Sequence, residues 1–475
     1  MTRRRNILLL TTAIACAGLA FGAARARDVP KVATGFIAHT LCSETFVSGL
    51  DPQRDLTETT DAMLGADLLT WAMNLQIDRA RKDVTVTLFG IGRSHAVYRE
   101  GLGCTLEHGQ GIADVALPPD DKQPALLSEV AGPDIVAPQS EGLAAALDRA
   151  FAEPAEPPYR RTRAIVVMKA GRIIAERYAD GVGPATQLLG FSMTKSVTSA
   201  LTGILVREGK LKLDGPAPIA AWQNPDDPRH AITVDHLLRH TAGIALGSSL
   251  EAKLGSVLEP VNTMKYAEDD MAGFAERVPL ATAPGTAWNY HDGNYLILAQ
   301  LIRNAAGGKP ADALAFARRE LFAPLGMRHV TLQLDASGTI EGSGEMMASA
   351  RDWARFGQLY LNDGVAGGKR ILPEGWVNYS ATATPGGWVG IGAGFWTNRG
   401  DSFGADFRIT HGWPRDAFFA KGTIGQYTIV IPSEQLVIVR MGRSPNWPPD
   451  VDGVFDLVRD VVAATREKGK MAGVN

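Results

Sequence analysis

A serine and a lysine stand three positions apart where an apolar-patterned stretch begins: Ser192 and Lys195 in GFSMTKSVTSALTGILVREGKLKLD, residues 190–214. In a helix, positions i and i+3 share a face one turn apart, so the amine can reach the hydroxyl. A serine at a helix start also meets unpaired backbone N–H groups, which favour a developing anion. A lysine withdrawn from water at such a place can lose its proton near neutral pH and act as a base. The chemistry on offer is nucleophilic acyl transfer. Taken alone, the pair reads equally as an N-capping serine beside a solvated lysine, so its surroundings must decide.

Those surroundings are elements with clear periodicity. RAIVVMKAG and RIIAERYADG alternate around Ala170-Gly171 and predict a hairpin. Behind Ser192, the residues Val197, Leu201, Ile204 and Leu205 keep a helical rhythm. VDHLLRHTAG predicts a second helix ending at Gly243, and NYLILAQLIRNAAGG a third stopping at Gly307-Gly308. FFAKGTIGQYTIVIPSEQLVIVRMG reads as two strands about a Pro-Ser-Glu turn, followed by an amphipathic helix in VFDLVRDVVAATREKG. Strands first, helices between, strands and a helix last predict an α+β (α/β) fold over 161–470, an antiparallel sheet flanked by helices. Upstream, residues 27–110 read as a small α/β extension. DVTVTLFG and HAVYREGLGCTL are its strands, and TDAMLGADLLTWAMNLQIDRAR has helical spacing. Residues 111–160, broken by LPPDDKQP, AGPDIVAPQ and AEPAEPP, read as a Pro-rich linker holding one short helix, EGLAAALDRAF.

Five segments in fixed order carry more than any one motif. They are the Ser192 stretch, ITVDHLLRHTAGI, PLATAPGTAWNYHDGNYLILAQLI, SARDWARFGQLYLNDGVAGGKRILPEGWV and FFAKGTIGQYTIVIPSEQLVIVR. Over about residues 163–442 the chain resembles the serine β-lactamase and penicillin-binding-protein superfamily. Within it, the branch of class C β-lactamases, esterases and 6-aminohexanoate-dimer hydrolases is the most similar. The resemblance implies a β-lactamase/transpeptidase-like fold with a helical subdomain. It makes Ser192 the nucleophile, Lys195 its lysine, and Tyr290 of WNYHDGNY the tyrosine that shares the base role. Aligned on Gly425-Gln426, Thr423 would offer its backbone N–H, with that of Ser192, as an oxyanion hole. Asp292 stands where the family often has asparagine, which adds a carboxylate beside the tyrosine and lysine. Lys421 falls one residue off the family's carboxylate-binding lysine, and strand alternation would turn it to the opposite face. Ser343 and Glu345 of EGSGEMMASARDW match a segment that supports the site from below and are not expected to be catalytic.

Asp292, Lys421 and Gln426 are thus candidate substrate contacts, joined by His411 and Trp413, which precede the inner strand in RITHGWPRDAFFA. His291 reads equally as a surface residue. His236 and His240 share a helix face, but no third ligand accompanies them, so no metal is expected. GTIGQ and GIGAGF lack the strand–helix context of a phosphate loop. No cofactor is implied.

The chain has 475 residues and a formal net charge of -3, without a basic run beyond its first five residues, so nucleic acid is not an expected partner. Arg3 to Arg5, an apolar run from Ile7 to Ala23 and Ala24-Arg25-Ala26 read as a signal peptide over 1–26, Sec or twin-arginine, directing export to the periplasm with no further membrane partner. Its removal takes Cys16 and leaves Cys42 and Cys104, which in an exported chain suggest one disulfide. The expectation is an exported serine hydrolase that cleaves an amide or ester of a small linear substrate. The alternatives are a β-lactamase, a D-alanyl carboxypeptidase, or a non-catalytic periplasmic binding protein on the same scaffold. The sequence specifies no oligomeric state.

Overall fold

Alternation of apolar side chains builds the central sheet. The computed structural model describes residues 28–63, 67–109, 111–112, 115, 117, 124–250, 254–447 and 450–472; the expected signal segment lies outside the described residues. Strands β1 (Met73–Asp78), β2 (Asp83–Leu88), β3 (Ile91–Arg99) and β4 (Gly103–Leu106) form an antiparallel meander near the N-terminus. The hairpin of β5 (Thr162–Lys169) and β6 (Arg172–Tyr178) turns on Ala170 and Gly171, both at positive φ, as a two-residue hairpin loop demands. A small sheet joins β7 (Leu188–Leu189), β8 (Val330–Leu332) and β9 (Met346–Ala348), and β10 (Val365–Ala366) pairs with β11 (Lys369–Arg370). Finally β12 (Trp396–Thr397), β13 (Phe418–Gly422), β14 (Gln426–Ile431) and β15 (Leu436–Gly442) complete a six-stranded antiparallel sheet in the order β12-β13-β14-β15-β5-β6.

Both faces of that sheet are buried, and successive side chains divide between two cores. Ala164, Val166, Met168, Phe418, Ala420, Val437 and Val439 join the larger core with the helices Thr194–Arg207, Gly293–Ala306 and Ala350–Leu361. Ile165, Val167, Phe419, Tyr427, Ile429 and Ile438 join a second core under the helices Glu141–Phe151 and Val454–Ala472. The expected mixed fold, an antiparallel sheet flanked by helices, is the observed one. No described helix is long and apolar enough to cross a membrane.

One expectation needs correction. The helical spacing read across residues 60–81 resolves into the end of the helix Pro52–Ala62, a 3-10 turn Asp67–Ala72 and strand β1. Met73, Leu75 and Ile77 alternate with the more exposed Asn74, Gln76 and Asp78, and pairing with β2 selects that period of two over the helical one. Within the described part of 111–160, the short helix expected in EGLAAALDRAF is present and packs on the main body. Ser140 caps the helix Glu141–Phe151, whose Leu143, Ala146 and Leu147 are buried against the C-terminal helix and the sheet.

The N-terminal unit is closed on itself by a disulfide and tied to the main sheet by charge. Cys42 of the 28–46 helix and Cys104 of β4 are disulfide-bonded. Arg163 of β5, almost fully buried, donates to Glu44 at 2.9 Å, Asp55 at 2.6 Å and Glu58 at 2.8 Å, and buried Arg443 also donates to Glu44. Three carboxylates of the N-terminal helices thus converge on cations of the main sheet and its extension. Removing one partner from such a buried group leaves charge uncompensated. Arg163→Met is expected to lower unfolding free energy by about 3–5 kcal/mol in a urea titration, with a single transition retained.

Candidate functional site

Ser192 sits in a 3-10 turn, Phe191–Met193, that feeds directly into the helix Thr194–Arg207. Phe191 is held at φ +46°, a left-handed backbone that a bulky residue adopts only when its surroundings impose it. Thr194 does much of the imposing: its Oγ1 donates to the Phe191 carbonyl at 2.7 Å and accepts from the Met346 N–H at 3.1 Å. One helical turn on from the serine, Lys195 is buried, and its Nζ donates to Ser192 Oγ at 3.0 Å, Asp292 Oδ1 at 2.5 Å and the Ser343 carbonyl at 2.7 Å. Three acceptors match the three donors of an ammonium group.

Tyr290 and Asp292 reach this lysine from the loop before the helix Gly293–Ala306. The Asp292 N–H donates to Ser249 Oγ at 3.0 Å, and the Tyr290 carbonyl accepts from the Ser249 N–H at 2.9 Å, which fixes the loop. Lys195 Nζ lies 5.0 Å from the Tyr290 ring centroid. On the tyrosine's other contact, His240 stacks at a centroid distance of 4.4 Å. Burial would push the Asp292 carboxyl up, but Lys195 and Lys265 outweigh it and hold it at about 2. Burial, with Lys195 and His291 beside it, keeps His240 well below the usual histidine range and hence uncharged.

The end of β13 forms the opposite wall. Gly422 packs so closely on the serine turn that a Cβ there would stand 2.2 Å from the Gly190 carbonyl oxygen. Thr423 follows Gly422 in the turn that joins β13 to β14. Among the described residues, the backbone N–H groups of Ser192 and Thr423 take no part in the hydrogen bonds of the surrounding turns. Gln426 shapes this turn: its amide donates to the carbonyls of Ile424 at 3.0 Å and Gly442 at 2.7 Å. That engagement makes Gln426 a structural residue, not the substrate contact expected of it. Ser192, Lys195, His240, Tyr290, Ile391, Gly394, Trp396 and Lys421 line one cleft.

Lys421 alternates with Phe418 and Ala420 as the strand period requires, so its side chain lies with Phe419 and Tyr427 on the second-core face. Its Nζ stands 4.9 Å from the Trp396 ring and 5.5 Å from the Tyr427 ring, and burial lowers its amine below the ordinary lysine range. The residue still borders the cleft beside Trp396. His411 and Trp413 do not join the site. His411 ends the helix Phe403–Thr410 and is exposed, its Nδ1 against the Phe407 carbonyl at 2.7 Å. Trp413 is buried in the second core against Phe419 and Phe455. His236 caps its own short helix, Val234–Leu238, which stops before Gly243 because Arg239 and His240 leave helical geometry, the latter at φ +60°. His236 and His240 therefore do not share a helix face. His291 is buried, not on the surface.

The sequence reading missed His240 as a cleft residue and Lys265 as the second cation on Asp292, at 3.7 Å. A histidine just before Thr-Ala-Gly at a helix end is the one local sign for His240. Nothing in TMKYAED marks Lys265.

Residues 147–463 match the family model described as Beta-lactamase. The chain belongs to the β-lactamase family. Over 238 residues it is 25% identical to the 6-aminohexanoate-dimer hydrolase of Paenarthrobacter ureafaciens, covering 46% of this chain and 56% of that protein, so little more than half of the relative's length is matched. Among solved structures, a penicillin-binding-protein homologue from Caulobacter crescentus superposes with a TM-score of 0.52 at 18% identity, covering 70% of this chain and 100% of that one. A family VIII carboxylesterase gives a TM-score of 0.52 at 17% identity, with 70% and 98% covered. These likenesses establish the β-lactamase fold, whose members are generally serine hydrolases. The meander β1–β4 lies outside the family match.

Burial lowers His291, next to Asp292, to about 4. A histidine neutral in the fold and protonated when unfolded contributes stability that is present above pH 6.5 and lost as pH falls towards 4. The stability difference between wild type and His291→Gln, followed by urea unfolding, is expected to shrink by up to roughly 3 kcal/mol across that window.

Proposed function

We propose that the protein is an exported serine hydrolase that cleaves an amide or ester bond of a linear substrate through an acyl-enzyme on Ser192. The observation that carries this reading is the contact of a buried, triply engaged Lys195 with Ser192 Oγ at 3.0 Å, in a cleft walled by Tyr290. Ser192 Oγ attacks the carbonyl carbon, and its proton leaves towards the Lys195–Tyr290 pair. Because all three Lys195 donors are already in use, Lys195 holds and polarises Oγ while Tyr290, as the phenolate, is the member of the pair that accepts the proton and becomes the phenol. The oxyanion that forms points at the free N–H groups of Ser192 and Thr423. The proton then passes to the leaving amine or alkoxide, and a water activated by the same pair releases the acyl group.

The cleft favours a narrow substrate. Tyr290, Trp396 and Ile391 wall it. The position of Lys421, one residue off the family's carboxylate-binding lysine, also weighs towards a linear substrate over a β-lactam. The names of two similar proteins, a 6-aminohexanoate-dimer hydrolase and a carboxylesterase, agree with linear amide or ester substrates. The disulfide of Cys42 and Cys104 supports export to an oxidising compartment.

The test is steady-state hydrolysis of p-nitrophenyl acetate and butyrate, 6-aminohexanoate dimer and a chromogenic β-lactam. Turnover of an ester or the dimer is expected, with kcat/KM at least about 10³-fold lower in Ser192→Ala. Activity that survives in Ser192→Ala overturns the nucleophile. Rapid turnover of the β-lactam alone moves the protein to the β-lactamase reading, and no turnover of any substrate favours a binding role.

A further inference from the structure

The cation on the catalytic serine is one end of a buried row of charges. Lys195 pairs with Asp292 at 2.5 Å; Asp292 meets Lys265 at 3.7 Å; Lys265 donates to Glu345 at 3.0 Å. All four side chains are at most 8% exposed. Beyond Glu345 stand Glu341 and, from the N-terminal helix, His39, whose Nδ1 is 3.5 Å from Glu345 and whose Nε2 meets the Cys104 carbonyl at 3.0 Å. Burial and the neighbouring Glu345 push Glu341 well up, and burial lowers His39. Burial opposes the charge on Glu345, but Lys265 outweighs it, and burial likewise opposes the charge on Lys265, which Tyr266, Glu345 and Asp292 raise. The row therefore reads plus, minus, plus, minus, with no net charge.

A neutral alternating row is the arrangement that makes four buried charges tolerable, because each interior charge has an opposite partner on both sides. It also transmits. Asp292 gives Oδ1 to Lys195 and turns Oδ2 to Lys265, so Lys265 offsets part of the negative potential that Asp292 would otherwise impose on Lys195 and Ser192. The other titratable groups facing this row are Tyr266 from the same helix as Lys265, His240 and His291 from the loops around Tyr290, and Asp335 near Glu341.

We propose that Lys265 and Glu345 are positioning residues of this hydrolase: held between Asp292 and Glu345, the Lys265 ammonium sets the potential at the Lys195–Tyr290 base without touching the substrate. The proposal rests on the serine-hydrolase reading above. Its signature is a pair of opposite shifts. Without Lys265, the unshared Asp292 carboxylate favours the protonated base, so activity needs a higher pH. Without the carboxylate end, the surplus positive charge favours the deprotonated base, so activity persists to lower pH. Glu341 must be neutralised together with Glu345, because it would ionise in its neighbour's place.

The experiment is the pH dependence of the second-order rate at which a p-nitrophenyl phosphonate modifies Ser192, read by p-nitrophenol release. Wild type, Lys265→Met, Lys265→Arg and the double variant Glu341→Gln/Glu345→Gln are compared. The midpoint of the acidic limb is expected to rise by about one pH unit in Lys265→Met, to return towards wild type in Lys265→Arg, and to fall by about one unit in the double variant. A purely structural role would lower the rates or the melting temperature and leave the midpoints in place. Midpoints that do not move, that move in one variant alone, or that move the same way overturn the proposal. If Lys265→Met does not fold, Lys265→Gln takes its place. A wild type that does not react, or labelling that survives in Ser192→Ala, overturns the hydrolase reading and this proposal with it, whereas a reactive wild type with unmoved midpoints overturns this proposal alone.

Discussion

The ion pair of Lys195 with Asp292 is the constraint around which this site is arranged. An amine taken out of water retains its charge only if opposite charge and acceptors replace the lost hydration. Here the carboxylate of Asp292, the carbonyl of Ser343 and the hydroxyl of Ser192 supply all three acceptors. That arrangement explains why an aspartate stands where related chains often carry an asparagine. It also explains the shared labour of the proposed mechanism: a lysine with no free donor and a neutral role in proton traffic leaves the tyrosine beside it as the acceptor.

An aspartate in such a place would over-bind a lone lysine, and the fold answers with a second cation. Lys265, from the helix Pro260–Ala267, stands behind Asp292, and Glu345 stands behind Lys265. The N-terminal unit reaches the same row through His39 and reaches the main sheet through the Arg163–Arg443 carboxylate cluster. These two charged contacts join the unit to the β-lactamase-family domain, although the family match begins only at residue 147.

Much of this was legible in the order of residues, and the reasons for the rest are physical. Ser192 and Lys195 are neighbours on one helix face, so a local spacing is enough to pair them. The sheet was legible because burial of both faces demands nearly continuous apolar runs, as in RAIVVMKAG and QYTIVI, and the parity of Lys421 followed from the strand's period of two. Asp292 was noticed for its chemistry, but its role was not, because its second partner lies on another helix. Lys265, Glu345 and His39 meet across long separations in the chain, and no local pattern encodes such a meeting. His411 and Trp413 were misplaced for a related reason: the segment before β13 is folded under the second core, where Trp413 meets Phe419. Strand β1 was read as helix because a period of two and a period of 3.6 coincide over a few positions, and only pairing with β2 separates them.

The most direct test of the account is a crystal structure of the protein with Ser192 phosphonylated, since the adduct places a tetrahedral oxygen where the oxyanion would form. The expected result is that this oxygen accepts from the backbone N–H groups of both Ser192 and Thr423 at about 2.7–3.1 Å, while Lys195 remains on Asp292 and the Ser343 carbonyl. An oxygen turned away from the Thr423 turn, or a Lys195 that leaves Asp292 to bind it, would contradict both the oxyanion hole and the fixed cation on which the mechanism depends.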